Sequence, residues 1–391
     1  GGLDTVGVYS EKPIIIDNLN EGESYFLSVV AKNSLGNSEP TEMLGIVPSN
    51  NDVNVLIVNG FDRVSGTNNT FDFIRQHGSA FNNHGKAFDA ASNEAVVSQQ
   101  IDILDYQFVD WMLGEEGTST SVFSYSEQNL ITTYLESGRF LFISGSEIGY
   151  DLEDQGSTTD RDFYQNYLKA DYISDAAGGH EGVYSGYGNG GSIFEGINTI
   201  NYDDGSHGTY NVDWPDGIKP LGGASFCAAF SGIDQNSSGG MGIQYIGPFG
   251  LSNLTGGLVY LSVGFETIYP EEKRNEIMSK IITSYESQLK IEDSNSIQPK
   301  TVNIKNIYPN PSNSSITISF SVLASNTTVD LSIKNILGQE VYKTSIKPAS
   351  INGKWTWNGI QQNGFIAPSG NYFISISQSN EISTRKITLL K

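Results

Sequence analysis

The middle of the chain alternates apolar runs with amphipathic segments. Five runs are nearly continuous in apolar residues, which is typical of strands buried on both faces of a parallel sheet: 53–60, 107–114, 139–145, 241–247 and 257–265. Helical patterns lie between and after them. One begins at a Ser124/Glu127 capping-box spacing, another covers 160–169, and a third follows Pro270. This alternation predicts an α/β domain over 52–288 with a mainly parallel sheet.

The pattern before this domain is that of β-strands. Residues 13–43 alternate at strand spacing, with Leu19, Gly22 and Tyr25 ahead of the best strand. The stretch resembles the second half of a fibronectin type III domain, in which Tyr25 would belong to the tyrosine corner. Because 1–47 amounts to about half of such a sandwich, we expect the native chain to extend upstream.

The pattern changes again after the α/β domain. Residues 289–302 are polar and lack periodicity, which predicts a linker. From 303 to 391 the sequence alternates at strand spacing and contains no helical pattern. This predicts a small, all-β C-terminal domain.

Short motifs recur through that domain in a fixed order. They are Tyr308-Pro309-Asn310-Pro311, Asn335-Ile336-Leu337-Gly338-Gln339, Trp357-Asn358-Gly359, Pro368-Ser369-Gly370-Asn371-Tyr372 and the terminal Lys386–Lys391. The set resembles the type A sorting domain of the type IX secretion system. The resemblance implies an Ig-like sandwich that the secretion machinery reads as an address. It also implies a secreted or outer-surface protein of a Gram-negative bacterium.

Composition limits the partners. The net charge is −22 and the isoelectric point about 4.4, so the phosphates of DNA or RNA would be repelled. No apolar stretch approaches the roughly 20 residues that span a bilayer, so we expect no transmembrane segment. The single cysteine, Cys227, excludes an intrachain disulfide framework.

Carboxylates follow the predicted parallel strands. Asp62, Glu115, Glu147 and Glu266 come shortly after four of the apolar runs. The carboxyl ends of parallel strands meet at one edge of a sheet, where ligands bind. Carboxylates gathered there would raise one another's pKa and become candidate acids and bases, or would hold a cation. Alternatively, each is a solvated loop residue or a helix cap.

Ser146 occupies the position of a nucleophile without its full pattern. The segment Ser144-Gly145-Ser146-Glu147-Ile148 lacks the G-x-S-x-G elbow. In order it is similar to class I glutamine amidotransferases, which have a cysteine where this chain has Ser146, so a thiol mechanism there is excluded. Among four histidines, His180 in a glycine-rich loop is the best partner. The candidate catalytic residues are Glu147, Ser146, Asp62, Glu266 and His180.

The whole of 53–285 also resembles a module of secreted bacterial multidomain proteins that are labelled as xanthan lyase or amidase-associated. The segments that carry this resemblance are 59–63, 92–96, 113–116, 144–147 and 264–268. It implies a flavodoxin-like or glutamine-amidotransferase-like sheet, but it supplies no catalytic residues.

Other signals concern ligands. The chain has no HExxH motif and no Cys/His zinc spacing, so it has no zinc motif of a known pattern. It also has no P-loop and no G-x-G-x-x-G after its first apolar run, so we expect no organic cofactor. Calcium is the ion that a cluster of carboxylates would bind, and one such cluster follows the third run: Asp151, Asp154, Asp160 and Asp162. Tyr184, Tyr187 and Trp214 are candidates for stacking on sugar rings.

Two functions remain open for the α/β domain. In the first, it is a non-catalytic binding or structural module of a surface adhesin or assembly, with a polysaccharide or cell-wall ligand. In the second, it is a secreted hydrolase or lyase acting on polysaccharide or peptidoglycan. Convergence of Ser146, Glu147, Glu94 and a histidine in one pocket would favour the second.

Overall fold

The computed structural model describes residues 5–9, 14–51, 53–117, 121–295, 302–313, 315–324, 326–348, 351–379 and 381–390, with side chains up to 289 in the last helix before the tail. Contacts divide the chain into two compact units, Gly1–Gln288 and Leu289–Lys391. No helix among these residues is long and apolar enough to cross a membrane.

The first unit begins with short strands. They are β1 (Tyr25–Leu27), β2 (Lys32–Asn33), β3 (Gly36–Asn37) and β4 (Leu44–Ile46). β1 pairs with β4 and β2 with β3, both antiparallel. The Tyr25 hydroxyl accepts the backbone N–H of Asn20 at 2.9 Å, as a tyrosine corner would. Two short pairs do not make a sandwich, so the fibronectin assignment stays a prediction.

A large mixed sheet forms the centre of this unit. The strands that follow are β5 (Val55–Asn59), β6 (Asp89–Ser92), β7 (Phe108–Gly114), β8 (Phe140–Gly145), β9 (Ala170–Ser174), β10 (Ser185–Gly188), β11 (Ile200–Tyr202), β12 (Gly217–Pro220), β13 (Ser225–Phe230), β14 (Gly242–Pro248), β15 (Thr255–Leu261) and β16 (Ile268–Tyr269). Ten of them form one sheet in the order β16-β11-β10-β13-β14-β15-β8-β7-β5-β6, while β9 pairs with β12.

The sheet is parallel in only one half. β6, β5, β7, β8 and β15 pair in parallel, and every pairing from β15 through β14 to β16 is antiparallel. The prediction of a mainly parallel sheet therefore holds for that half, and 241–247 is wrongly placed in it. The connection 249–254 between β14 and β15 is too short for a parallel crossover, which needs about a dozen residues.

Helices accompany the strands. They are α1 (Ile74–Asn83), α2 (Asn93–Val97), α3 (Tyr125–Glu136), α4 (Thr158–Asn166), α5 (Gln235–Ser238) and α6 (Glu271–Asn295), with 3₁₀ turns at Ile103–Asp105 and Phe265–Thr267 and a π turn at Tyr150–Asp154. The predicted Ser124/Glu127 capping box starts α3. α6 begins after Pro270 as expected but continues to Asn295, inside the predicted linker.

A continuous apolar core holds the parallel strands in place. Trp111 of β7, Ile143 of β8, Tyr260 of β15 and Tyr134 of α3 are all fully buried in one cluster. Complete burial of such side chains stabilises the sheet by about 1.5–3 kcal/mol each, before the entropy of ordering them is counted. The carboxyl ends of these strands are therefore a rigid platform for the residues that follow.

The second unit is all-β, as predicted. Its strands are β17 (Asn303–Tyr308), β18 (Ile316–Ser321), β19 (Val329–Asn335), β20 (Glu340–Ile346), β21 (Asn352–Trp357), β22 (Gly370–Gln378) and β23 (Glu381–Leu389). They form two antiparallel sheets, β17-β18-β21 and β20-β19-β22-β23. Trp357 and Tyr372 pack in their shared core, 5.7 Å between ring centroids. Gly338, at the β19–β20 hairpin, has φ +78, which few other residues tolerate.

The first and last motifs of this unit bind each other. Asn310 Oδ1 accepts the backbone N–H of Thr388 at 2.8 Å, and Ser312 N–H donates to the Thr388 carbonyl at 2.9 Å. Leu390 N–H donates back to the Ser312 carbonyl at 2.6 Å. The proline-rich entry and the terminal strand therefore form one structural element.

Candidate functional site

A cavity of about 350 Å³ opens beside the carboxyl ends of β5, β7 and β8. We call it the rim pocket. Its lining is mostly polar: Arg63, Gly66, Glu115, Glu147, Tyr150, Asp175, Asp213 and Trp214. Glu115 directly follows β7, and Glu147 comes two residues after β8. Four carboxylates thus face one guanidinium and two aromatic rings.

Of the five predicted catalytic residues, Glu147 is the one that lines this pocket. Its φ is +62, a left-handed conformation that costs a non-glycine residue about 1 kcal/mol or more. Its carboxylate lies 3.5 Å from the Arg63 guanidinium, and both side chains are largely buried. The chain therefore turns sharply after β8 and delivers this carboxylate to the pocket, as the sequence indicated.

Arg63 is fixed by backbone carbonyls. Its Nη1 donates to Gly117 O at 2.5 Å and to Glu115 O at 3.1 Å, while its Nε donates to Ser65 O at 2.9 Å. These bonds tie the loop after β5 to the loop after β7. The guanidinium is consequently a preorganised positive charge in an otherwise acidic cavity.

The remaining carboxylates of the pocket repel one another. Burial first, and then the charges of Asp213 and Glu147, raise the pKa of Glu115 to about 8, although the charge of Arg63 opposes this rise. Burial and the charges of Asp154 and Asp213 likewise raise the pKa of Asp175. Glu115 therefore carries a proton at neutral pH and can donate a hydrogen bond to a ligand.

Ser146 does not face a histidine. The residue is buried, its N–H donates to Gly114 O at 2.8 Å, and its hydroxyl lies 3.4 Å from the same carbonyl. Among the residues that the structure describes, no hydrogen bond joins its hydroxyl to an imidazole. Both of its bonds therefore connect the turn after β8 to the end of β7.

Asp62 belongs to a separate acidic cluster. Burial, followed by the charges of Glu94 and Glu116, raises the pKa of Asp62 to about 6. Burial, then the charges of Asp62 and Glu94, raises the pKa of Glu42 to about 7. The Glu116 carboxylate accepts the backbone N–H groups of Asp62 and Arg63 at 2.8 and 2.7 Å.

Glu266 is turned into the core. The 3₁₀ turn after β15 buries it completely, and its Oε2 lies 3.1 Å from His77 Nε2 while its Oε1 accepts the Tyr210 hydroxyl at 2.5 Å. His77 Nδ1 lies 2.7 Å from Asp110 Oδ2. Burial opposes protonation of His77, but the charge of Asp110 and the hydrogen bonds to both carboxylates raise its pKa to about 9.

His180 lies at the outer edge of the rim pocket. Its Nε2 is 3.0 Å from Asp213 Oδ2, and its ring stacks on Trp214 at 4.5 Å. Of the aromatic residues proposed to stack on sugars, Trp214 lines the pocket, whereas Tyr184 and Tyr187 lie on or near β10 outside its lining. The five predicted catalytic residues are thus divided among several places.

The predicted calcium ligands are engaged elsewhere. Asp151 accepts the backbone N–H of Val122 at 2.9 Å, and Asp160 accepts Ser157 N–H at 2.8 Å in the capping box of α4. In the described part of the chain these aspartates do not form a group of three converging ligands. A calcium ion at this place stays an untested prediction.

A second cavity, about 610 Å³, is larger than the rim pocket. It lies between α3, α4 and the loop 250–251, and it shares no lining residue with the rim pocket. Asp162 and Lys169 are the only charged residues that line it, so its lining has no group of converging carboxylates. Convergent polar groups, more than size, mark a binding site, so the rim pocket is the candidate.

Sequence reasoning found part of this pocket. It placed carboxylates after β7 and β8, and it singled out Trp214. Arg63 was not predicted as a fixed charge. Asp175 and Asp213 were not predicted because neither follows a strand of the parallel half: Asp175 follows β9, and Asp213 lies in the connection between β11 and β12. Sequence reasoning also missed the buried His77 network, whose members lie up to 189 residues apart.

The comparisons with known proteins agree with the reading of the tail. A model described as the secretion system C-terminal sorting domain matches residues 306–390. Residues 306–390 are a sorting domain. The protein is therefore a type IX secretion cargo, exported to the cell surface or secreted, and the type IX machinery recognises its tail. A search of curated proteins finds no match.

Similar solved structures are distant. PorZ, a surface component of the type IX system of Porphyromonas gingivalis, is 20% identical over 22% of this chain and 11% of its own, with a TM-score of 0.18. Latent PorU from the same organism is 10% identical over 42% and 13%, with a TM-score of 0.22.

A ThuA-like protein from Bacteroides uniformis covers more of this chain. It is 11% identical over 61% of this chain and 97% of its own, with a TM-score of 0.37. At such identities and TM-scores, these likenesses carry no argument about what the chain does.

Proposed function

We propose that the α/β domain is a non-catalytic binding module of a cell-surface adhesin or assembly, and that its ligand is a saccharide held in the rim pocket. The observation that carries this proposal is the composition of the pocket. Trp214 and Tyr150 offer aromatic faces, and carboxylates beside them offer hydrogen-bond acceptors. Aromatic residues with a few convergent polar groups suit a sugar ring, which has apolar faces and a polar edge.

The charge of the pocket limits which classes of saccharide can bind there. With Glu115 protonated, the carboxylates of Glu147, Asp175 and Asp213 oppose one arginine, which is already paired with Glu147. A uronic acid would be repelled, because its carboxylate would enter a negative cavity. Neutral sugars, and above all amino sugars with a free ammonium group, fit this charge.

The separation of the predicted catalytic residues supports binding over catalysis. Asp62 lies with Glu42 and Glu94, Glu266 is buried on His77, and Ser146 bonds to a carbonyl. A nucleophile needs a base within hydrogen-bond reach, and the described residues place none beside Ser146.

A secreted glycoside hydrolase or lyase is the second candidate. The observation in its favour is that Glu115 and Glu147 line the same cavity in different environments, one protonated and one paired with Arg63. Two carboxylates with distinct protonation are the usual acid and base of glycoside cleavage.

Calorimetric titration of the full chain tests the proposal. We expect amino-sugar oligomers and neutral oligosaccharides to bind, and polyuronates not to bind. Glu147→Gln should weaken amino-sugar binding about 10-fold, because a charge-assisted bond is lost. Glu276→Gln, a change to an exposed carboxylate of α6, is the matched control and should have no effect.

Two results would decide against this function. Preferential binding of polyuronates would contradict the charge argument. Turnover of a bound oligosaccharide, measured as new reducing ends and abolished in Glu115→Gln, would replace binding by the hydrolase or lyase reading.

A further inference from the structure

A group of nitrogen and oxygen donors converges at the outer edge of the rim pocket. His180, Glu181 and Asp213 each place one potential ligand atom within 4.8 Å of the others, and the described residues contain no second group of this kind. We propose that these three residues form a binding site for a divalent transition-metal ion of the Zn²⁺ class. Asp213 also lines the rim pocket, but the metal site does not require the saccharide proposed above.

The spacing suits a shared ion. If the three ligand atoms were all 4.8 Å apart, the largest separation in the group, an ion at their centre would lie about 2.8 Å from each atom. Zn–N and Zn–O bonds are about 2.0–2.2 Å. Each ligand atom would therefore have to move toward the ion by less than about 1 Å to reach bonding distance. His180 Nε2 and Asp213 Oδ2 are already 3.0 Å apart, close to the separation of two ligands on one ion.

The backbone brings these residues together from two segments. Glu181 N–H donates to the Asp213 carbonyl at 3.2 Å, and Ala177 N–H donates to the Pro215 carbonyl at 3.1 Å. Trp214 stacks on the His180 ring at an interplanar angle of 25° and so restricts its rotation. The donors therefore need little reordering when an ion binds.

The surroundings favour a cation. Apart from Glu115, which carries a proton at neutral pH, the adjoining pocket adds the carboxylates of Glu147 and Asp175, while Arg63 is its one positive lining residue. A doubly charged ion beside Asp213 would offset this excess of negative charge. The histidine also distinguishes the group from an ordinary patch of surface carboxylates.

The donor types select the class of ion. Ca²⁺ and Mg²⁺ take oxygen ligands almost exclusively, whereas an imidazole with two carboxylates suits Zn²⁺, Co²⁺ or Mn²⁺. The site thus differs in both place and metal from the calcium expected at Asp151–Asp162. Three protein ligands leave a coordination position for water or a ligand.

Titration with Zn²⁺ alone tests this inference. The full chain, freed of metal with a chelator, should bind about one equivalent by calorimetry at neutral pH, and Ca²⁺ should not compete. Co²⁺ should give visible absorption bands of a nitrogen- and oxygen-ligated ion. His180→Gln and Asp213→Asn should each weaken Zn²⁺ binding at least about 10-fold.

Matched changes at another exposed histidine provide the control. His207→Gln and Asp204→Asn, a second histidine and aspartate pair near the surface, should leave Zn²⁺ binding unchanged. Far-UV circular dichroism checks that every variant is folded. Failure of the wild type to bind Zn²⁺ stoichiometrically, or full binding by the His180→Gln/Asp213→Asn double variant, would overturn the site. Neither result depends on a saccharide.

Discussion

His77 is a buried cation between two carboxylates. It bonds to Asp110 and Glu266, and all three side chains are fully inaccessible to water. Removing one partner of such a group leaves buried charge uncompensated. We therefore expect His77→Ala to lower the free energy of unfolding of the first unit by about 3–5 kcal/mol.

Denaturant unfolding followed by tryptophan fluorescence measures this loss. His207→Ala, which removes an exposed imidazole, is the control and should cost less than about 0.5 kcal/mol. Equal losses in the two variants would show that the buried network contributes nothing specific.

Glu42 gives the first unit a pH dependence. Its folded pKa of about 7 is above the usual value of 4.5, so the unfolded chain gives up the proton first as pH rises. The stability associated with its protonated form is complete below pH 4.5 and is lost as pH rises through about 7. Glu42→Gln should therefore match wild type at pH 4.5 and exceed it at pH 8.

The expected gain at pH 8 is about 1 kcal/mol, since the carboxylate is partly exposed and solvent screens its charge. Urea unfolding at the two pH values measures it. Glu276→Gln should change stability equally at both pH values. A Glu42→Gln variant with the same lack of pH dependence would contradict the raised pKa.

Side-chain direction is the part of the site that the sequence could not predict. Glu147 and Glu266 both follow parallel strands, yet one enters the rim pocket and the other is buried. The difference arises from the 3₁₀ turn at Phe265–Thr267 and from His77, which is distant in sequence. Only tertiary contacts decide between these orientations.

Local sequence patterns predicted the helices and strands better than they predicted the side-chain directions at the site. The parallel strands and the start of α3 are as expected, because continuous apolar runs and a capping box are local signals. The predicted parallel direction of β14 was wrong, because an apolar run does not show whether the strand pairs with its neighbours in parallel or antiparallel. The extension of α6 was missed because its last turns lack an apolar stripe.

In the sorting domain, the proline-rich entry motif is hydrogen-bonded to the last strand. Asn310 bonds to β23 through Thr388, so the entry motif and the terminal strand depend on each other. We expect Asn310→Ala to destabilise the second unit by about 1 kcal/mol and to reduce the amount of full chain exported. Thermal unfolding and immunodetection of intact cells measure the two effects.

Exposed Asn313 provides the matched control, and Asn313→Ala should change neither stability nor export. Deletion of 303–391 sets the lower limit of export, because we expect the truncated protein to be retained in the periplasm. Normal export of the Asn310→Ala protein despite a clearly lowered melting temperature would show that the closure serves stability alone.

At the scale of the whole molecule, charge and address agree. A net charge of −22 disfavours nucleic acid and acidic polysaccharides as ligands, and the tail directs the chain to the outside of the cell. The rim pocket shares this negative character. The proposed ligand, a neutral or positively charged saccharide, is consistent with the charge of both the pocket and the whole chain.

The role of Trp214 tests the central claim most directly. Calorimetry on the full chain should show amino-sugar binding weakened at least about 10-fold in Trp214→Ala, because a central aromatic contact is lost. Tyr187→Ala, which removes an exposed aromatic ring outside the pocket lining, should bind as wild type. Unchanged affinity in Trp214→Ala, or an equal loss in Tyr187→Ala, would contradict a saccharide site in the rim pocket.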